Sequence, residues 1–367
     1  MQKIAILGFG TVGQGVAEVL TMNRDKLAAL LSDEIEIAYI LDLREFPEHP
    51  LGNRVVHDIA PILADPEVKV VCEMMGGVHP ASDFTKAALL AGKNVVTSNK
   101  AVVAECGPEL LRIAREKKVR YLFEASVGGG IPILRPLTGD ALAGNEITAI
   151  EGILNGTTNY ILTEMRDKGT SFADALATAK KLGYAEADPT ADIEGHDACR
   201  KICILAAVAF GVLIPFEKVD CEGITRVTEE DVKNAAEAGA SVKLIGRAIK
   251  HADGTIALSV SPCAVSGSNP LSHIDDVFNG IMVHGNAVGD LLFYGKGAGR
   301  LPTASAVVSD IVDILRCGDD QPAQALWSRD ESLLVPFNAG DEKQFAASVG
   351  TPLRHPLAVL TGSAFPL

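Results

Sequence analysis

The chain has 367 residues, with 33 Lys or Arg against 47 Asp or Glu, for a formal net charge of −14. At roughly 150 residues per domain this length predicts two or three domains, and 47% hydrophobic with 22% charged residues is a globular composition rather than a disordered one. The acidic balance gives no footprint for nucleic acid or anionic membrane, and the longest apolar run, 202–214, is shorter than the roughly 20 residues of a membrane span.

Lys3 to Leu7 reads as a short apolar strand that begins at once, leaving no room for a signal peptide. Gly8-Phe9-Gly10-Thr11-Val12-Gly13 then fits G-x-G-x-x-G and opens an amphipathic helix expected from about Val12 to Leu31. Between strand and helix, such a loop suits a dinucleotide. The glycines allow a tight turn and a close approach to a pyrophosphate seated on the helix N-terminus. The plainer alternative is a turn that packs helix on strand. A second strand, 34–40, is followed by Asp42, which suits the 2′-hydroxyl of NAD, and by Arg44, which suits the 2′-phosphate of NADP. Both cofactors stay open at this point. Further strands at Val68–Glu73, Asn94–Thr97 and Val119–Glu124 alternate with helical patterns. That alternation predicts parallel βαβ units and an α/β, doubly wound Rossmann sheet. Lys100 follows Thr97 at the strand edge where open sheets bind ligands.

Gly128-Gly129-Gly130 and Pro132 mark a boundary. Strands at Ile147–Leu154, Val242–Ile249 and Ile256–Pro262, with helices at Ser171–Leu182 and Asp197–Phe210, predict an α+β second domain. The chain thus divides into 1–130, 131–317 and a tail, 318–367, to which no firm fold is assigned.

The segment from Gly183 to Lys201 carries the carboxylates of Glu186, Asp188, Asp192, Glu194 and Asp197 ahead of an apolar helix. Asp197 and Lys201 are four residues apart, on one helical face. An exposed ion pair is the plain reading. An apolar helix is buried, however, so its first turn faces something internal. Desolvation there, and a second lysine such as Lys100 nearby, would lower the pKa of Lys201 toward the general-acid range. The clustered carboxylates would clamp a substrate ammonium group, whereas His196 points off that face. Seven scattered cysteines without a CxxC pair suggest reduced thiols in a cytoplasmic protein.

Taken together, these residues resemble homoserine dehydrogenase over about residues 2–317. The resemblance rests on the glycine loop, Glu73-Met74-Met75-Gly76-Gly77, Thr97 to Ala101, Glu124 to Pro132, Gly152 to Tyr160, Glu186 to Lys201, and Tyr294 to Gly299 followed by Pro302 to Val307. It implies reversible reduction of L-aspartate 4-semialdehyde to L-homoserine by NADPH or NADH, on the route to threonine, methionine and isoleucine. By matching position, Lys201 looks like the general acid and Lys100 like its partner near the nicotinamide. Glu186 and Asp197 look like substrate-binding carboxylates, with Asp192 in support. Gly8, Phe9, Gly10, Thr11, Val12, Gly13, Thr97, Lys100, Gly183 and Gly297 look like cofactor contacts. The family also carries a monovalent cation, sodium, which by resemblance lies on oxygens of Glu124, Val127, Gly129 and Ile131. It further implies a homodimer, with 131–142 and 303–315 as interface elements of a catalytic and dimerisation domain.

Two departures stand out. Too little chain follows Cys317 for a whole ACT regulatory domain, so Ser332 to Phe337 reads as a remnant or a dimer-edge segment of a monofunctional form. Leu41 stands where many members place an arginine, which speaks against NADP. Another Rossmann amino-acid dehydrogenase would share the glycine loop but not Asn155 to Asn159 or the Asp197–Lys201 pair. A non-catalytic dinucleotide sensor would need neither Lys100 nor Lys201.

Overall fold

The computed structural model describes residues 1–318, 322–338, 340, 341, 343 and 350–353. Its first sheet is parallel and contains β1 (Gln2–Leu7), β2 (Ile35–Leu41), β3 (Val55–Val56), β4 (Val68–Glu73), β5 (Asn94–Thr97) and β6 (Tyr121–Leu122). The order β3-β2-β1-β4-β5-β6 reverses direction between β1 and β4, where the carboxyl ends of the strands open a crevice. Ile4 to Leu7 and Val70 to Cys72 are wholly buried, as expected of central strands covered on both faces. This is the expected Rossmann sheet.

Two local expectations differ. The long first helix is broken at Asn23 into Thr11–Met22 and Arg24–Leu31. The last strand keeps only two residues before the chain turns at Glu124–Ser126. The Glu124 carboxylate draws the chain off the sheet edge by accepting the amides of Ile133, Leu134 and Arg135 at 2.7–2.8 Å.

The second sheet is mixed and centres on two long antiparallel strands, Ala240–Lys250 and Ile256–Ser266. Ile147–Ile153 pairs with the first of these and with the hairpin Phe278–Gly285/Gly289–Lys296. Helices Gly156–Lys168 and His196–Phe210 cover one face and share its apolar core.

Helix Arg300–Cys317 returns to the first sheet. Ala304, Val307, Ile311 and Ile314 share a core with Ile4, Ile6, Val16 and Leu20. Helix Thr11–Met22 approaches it so closely that a Cβ at Gly15 would lie 2.8 Å from the Arg300 carbonyl oxygen. The chain beyond it packs back on both sheets. Gln324 exchanges two side-chain bonds of 2.7 Å with the main chain of Tyr121. Ser328–Arg329 pairs with Val212–Leu213, and Leu334–Val335 with Ile256–Ala257. Gly350–Pro352 pairs with Cys263–Val265. Residues 354–367, like 344–349, lie outside the described residues.

Candidate active site

The glycine loop joins β1 to helix Thr11–Met22. Gly8 is left-handed at φ +87°, and a Cβ at Gly13 would lie 2.2 Å from the Gly8 carbonyl oxygen, so both positions require glycine. Gly10 precedes the helix, and no side chain caps it. The amides around Thr11 and Val12 therefore stay available to an anion. Phe9 is buried, and its amide donates to Asp42 Oδ2 at 2.7 Å. Arg44 folds back on the same carboxylate with two bonds of 3.0 Å and holds Asp42 down at about 2. The 2′-hydroxyl acceptor and the 2′-phosphate donor expected from sequence thus form one ion pair beside the loop.

Across the crevice, the first turn of helix His196–Phe210 carries Asp197 and Lys201 inward, 5% and 8% exposed. Lys201 Nζ donates to Asp197 Oδ2 at 2.7 Å and to the Leu154 carbonyl oxygen at 2.8 Å. Lys100 Nζ, from the other sheet, reaches Asp197 Oδ1 at 3.0 Å. One buried carboxylate therefore bridges two lysines from separate layers. That carboxylate offsets the expected lysine–lysine repulsion by pairing with both. The Asp197 charge holds Lys100 above its ordinary value, against the pull of burial. Burial alone would raise Asp197, but the two ammonium groups outweigh it and hold the carboxyl well below the usual range.

Asn155 caps helix Gly156–Lys168 through Oδ1 to the Thr158 amide at 2.9 Å. Its Nδ2 donates to both Asp192 Oδ1 and Asp197 Oδ2 at 2.8 Å. Burial and the Asp197 charge raise Asp192 above its ordinary value. One end of the Asn155 amide thus serves the helix and the other the two carboxylates. The Leu154 carbonyl carries no sequence signal and was missed. Glu186 is exposed and makes no ion pair or hydrogen bond among the described residues, and His196, next to Asp197 on the chain, is exposed too.

The remaining positions expected at the cofactor are Thr97, Gly183 and Gly297. Thr97 is buried, and its hydroxyl donates to Glu73 at 2.6 Å, so its side chain is already engaged. Gly183 is exposed after helix Phe172–Lys181, and the next carbonyl, of Tyr184, accepts the Thr157 hydroxyl at 2.6 Å. A Cβ at Gly297 would lie 2.0 Å from Asn279 Nδ2, and one at Gly129 would lie 2.5 Å from the Gly297 carbonyl. The two glycines thus bring the interdomain turn and the second domain into backbone contact.

At that turn, both Glu124 carboxylate oxygens accept backbone amides. Among the described residues no turn or loop hydrogen bond goes to the main-chain oxygens of Val127, Gly129 or Ile131. Carbonyl oxygens are donors that a hard cation takes, and the Glu124 carboxylate is already occupied. No cluster of His, Cys, Asp and Glu suited to a metal occurs among the described residues.

Comparison with known proteins now decides the family. A model described as homoserine dehydrogenase matches residues 132–312, and one described as its NAD binding domain matches 8–124. The chain belongs to the homoserine dehydrogenase family. Homoserine dehydrogenase of Pseudomonas aeruginosa is 43% identical over 321 residues, covering 87% of this chain and 74% of that protein. That of Bacillus subtilis is 42% identical, covering 86% and 73%. The crystal structure of a homoserine dehydrogenase from Thiobacillus denitrificans superposes at TM-score 0.84 with 39% identity, covering 91% and 79% of the two chains. A hyperthermophilic archaeal homoserine dehydrogenase in complex with NADPH superposes at TM-score 0.73 with 29% identity, covering 85% and 97%. The activity is that of an oxidoreductase, homoserine dehydrogenase, using a nicotinamide cofactor. No helix among the described residues is long and apolar enough to cross a membrane.

Proposed function

We propose that Lys201 and Lys100, bridged by Asp197, form the proton-transfer centre for interconversion of L-aspartate 4-semialdehyde and L-homoserine. The observation that carries this reading is the buried Asp197 carboxylate held by both ammonium groups. When bound, the nicotinamide supplies or accepts the hydride. Lys201 has three N–H bonds, and Asp197 and the Leu154 carbonyl take two. The third is free to donate to the substrate oxygen and to stabilise the charge that develops there. Lys100 places a second cation beside the same oxygen. Glu186 and Asp197 bind the substrate ammonium, with Asp192 in support.

The loop Gly8 to Gly13 holds the pyrophosphate, and the main chain at Thr97, Gly183 and Gly297 lines the rest of the cofactor. Arg44 beside that loop favours the 2′-phosphate of NADP, with NAD as the slower partner. The carbonyl oxygens of Glu124, Val127, Gly129 and Ile131 would hold a monovalent cation, sodium, whose charge would steady the turn between the sheets. Residues 1–130 serve the cofactor and 131–317 the substrate, with helix Arg300–Cys317 lending its apolar face to the first layer. The protein acts in the cytoplasm, in keeping with its seven free cysteines, and as a homodimer.

The test is an absorbance assay with L-homoserine and NAD or NADP, with Lys201→Ala alongside. Turnover should fall by about a hundredfold to ten-thousandfold in the variant, the range of general acid–base catalysis. A variant that keeps parental kcat removes Lys201 from the chemistry. Faster turnover with NAD than with NADP overturns the reading of Arg44.

A further inference from the structure

Glu73 ends β4 at the point where the sheet reverses direction, and it is wholly buried. A carboxylate at such depth lacks water, and an apolar side chain there would cost less stability. Core packing alone therefore does not account for it. Its Oε2 accepts the Thr97 hydroxyl at 2.6 Å, and its Oε1 accepts the Met75 amide at 2.7 Å. Both partners are donors, the arrangement an acceptor-only carboxylate requires.

The bonds continue in two directions. On one side Glu73 is paired with Leu7, the residue before the glycine loop, and the Met74 amide donates to the Leu7 carbonyl at 2.8 Å. A Cβ at Gly8 would lie 3.0 Å from the Met74 carbonyl oxygen, so this turn packs directly on the loop. On the other side Thr97 Oγ1 accepts the Asn99 amide at 2.9 Å. Asn99 Nδ2 donates to the Gly77 carbonyl at 2.7 Å, and its Oδ1 caps the amides of Ala101 and Val102. That cap starts the helix whose first residue is Lys100.

We propose that Glu73 is a positioning residue, whose carboxylate locks the turns 73–77 and 97–100 together beside the glycine loop and so aims Lys100 at Asp197. The inference rests on the reading of Lys100 as part of the proton-transfer centre. It adds a residue that touches neither substrate nor reacting atoms and works through Thr97 and Asn99. Burial raises the Glu73 pKa, while the bonds from Thr97 and Met75 oppose that rise.

The experiment uses the full chain with Glu73→Gln, Glu73→Asp and, for comparison, Lys100→Ala. Glu73→Gln keeps the shape but turns an NH2 group toward one of the two donors. Amide hydrogen exchange at Ala101 and Val102, without cofactor, should speed up in Glu73→Gln. Titration with NADP and NAD should show weaker binding. Its kcat should drop on the order of a hundredfold, as a displaced catalytic group implies, with KM for homoserine unchanged. Glu73→Asp, which keeps the charge, should recover part of each readout and guards against a Gln variant that does not fold. Parental kcat and exchange in Glu73→Gln, or a lowered unfolding midpoint as its sole effect, overturns the proposal. If Lys100→Ala keeps full turnover, the reading of Lys100 fails. The role of Glu73 in ordering the turns is then judged by exchange and cofactor binding alone.

Discussion

Asp197 lies between two ammonium groups, and that placement sets how the protein responds to acid. Its carboxyl is held well below its ordinary value of 3.8, the balance of burial against Lys201 and Lys100. The unfolded chain takes up a proton near the ordinary value while the folded chain resists it. Stability from this residue is thus present above about pH 4 and is lost as pH falls toward the depressed native value. Asp197→Asn removes this component. The gap in Tm between parent and variant should narrow as pH is lowered from 6 to 3, measured by thermal melts at each pH. A gap that stays constant would mean that Asp197 is not held ionised. The Asp197–Lys201 half of this centre was legible, because i,i+4 spacing ahead of an apolar helix fixes a buried face. The Lys100 half was only a suggestion. Nothing local reports that residues 100 and 197 meet, since that contact depends on how two sheets dock.

The element that brings the carboxylates together is the start of helix Gly156–Lys168. Asn155 does two jobs there with opposite ends of one amide, Oδ1 for the helix and Nδ2 for Asp192 and Asp197. The two can be separated. Serine caps a helix about as well as asparagine, whereas alanine costs about 1 kcal/mol of cap. Asn155→Ser should therefore unfold in urea closer to the parent than Asn155→Ala does. Both should lose kcat/KM with homoserine, on the order of tenfold for a lost hydrogen bond to a charged group. If Asn155→Ser keeps parental kcat/KM, the contact with the carboxylates is idle and only the cap matters. At this scale the Rossmann half was readable because its buried strands are apolar runs between helices. The hairpin Phe278–Gly285/Gly289–Lys296 was not. Glycines at 280, 285, 289 and 295 weaken its strand pattern, and its outer strand is half exposed.

The two sheets are also tied by the segment after helix Arg300–Cys317, which sequence left without a fold because it is rich in proline, glycine and small residues. Gln324 holds the edge of the first sheet at Tyr121, and Leu334–Val335 joins the second at Ile256–Ala257. Between them lies Trp327, the sole tryptophan of the chain. It is 7% exposed and meets Phe123 edge-on at 5.2 Å. Helix Lys100–Lys117 admits it at Gly107, where a Cβ would lie 2.8 Å from Trp327 Cζ3. Trp327 emission therefore reports the seating of this strap against Phe123 and Gly107, whereas far-UV circular dichroism reports both sheets. If the strap holds the sheets as one cooperative unit, the two signals should share a midpoint in urea. Gly107→Ala should shift the emission to the red and lower that shared midpoint, by about 1–3 kcal/mol for an overpacked site. An emission change well before the dichroism change would mean that the strap releases on its own while the sheets remain folded. The docking of Lys100 onto Asp197 would then owe nothing to it, because a strap that leaves first cannot set the distance between the sheets.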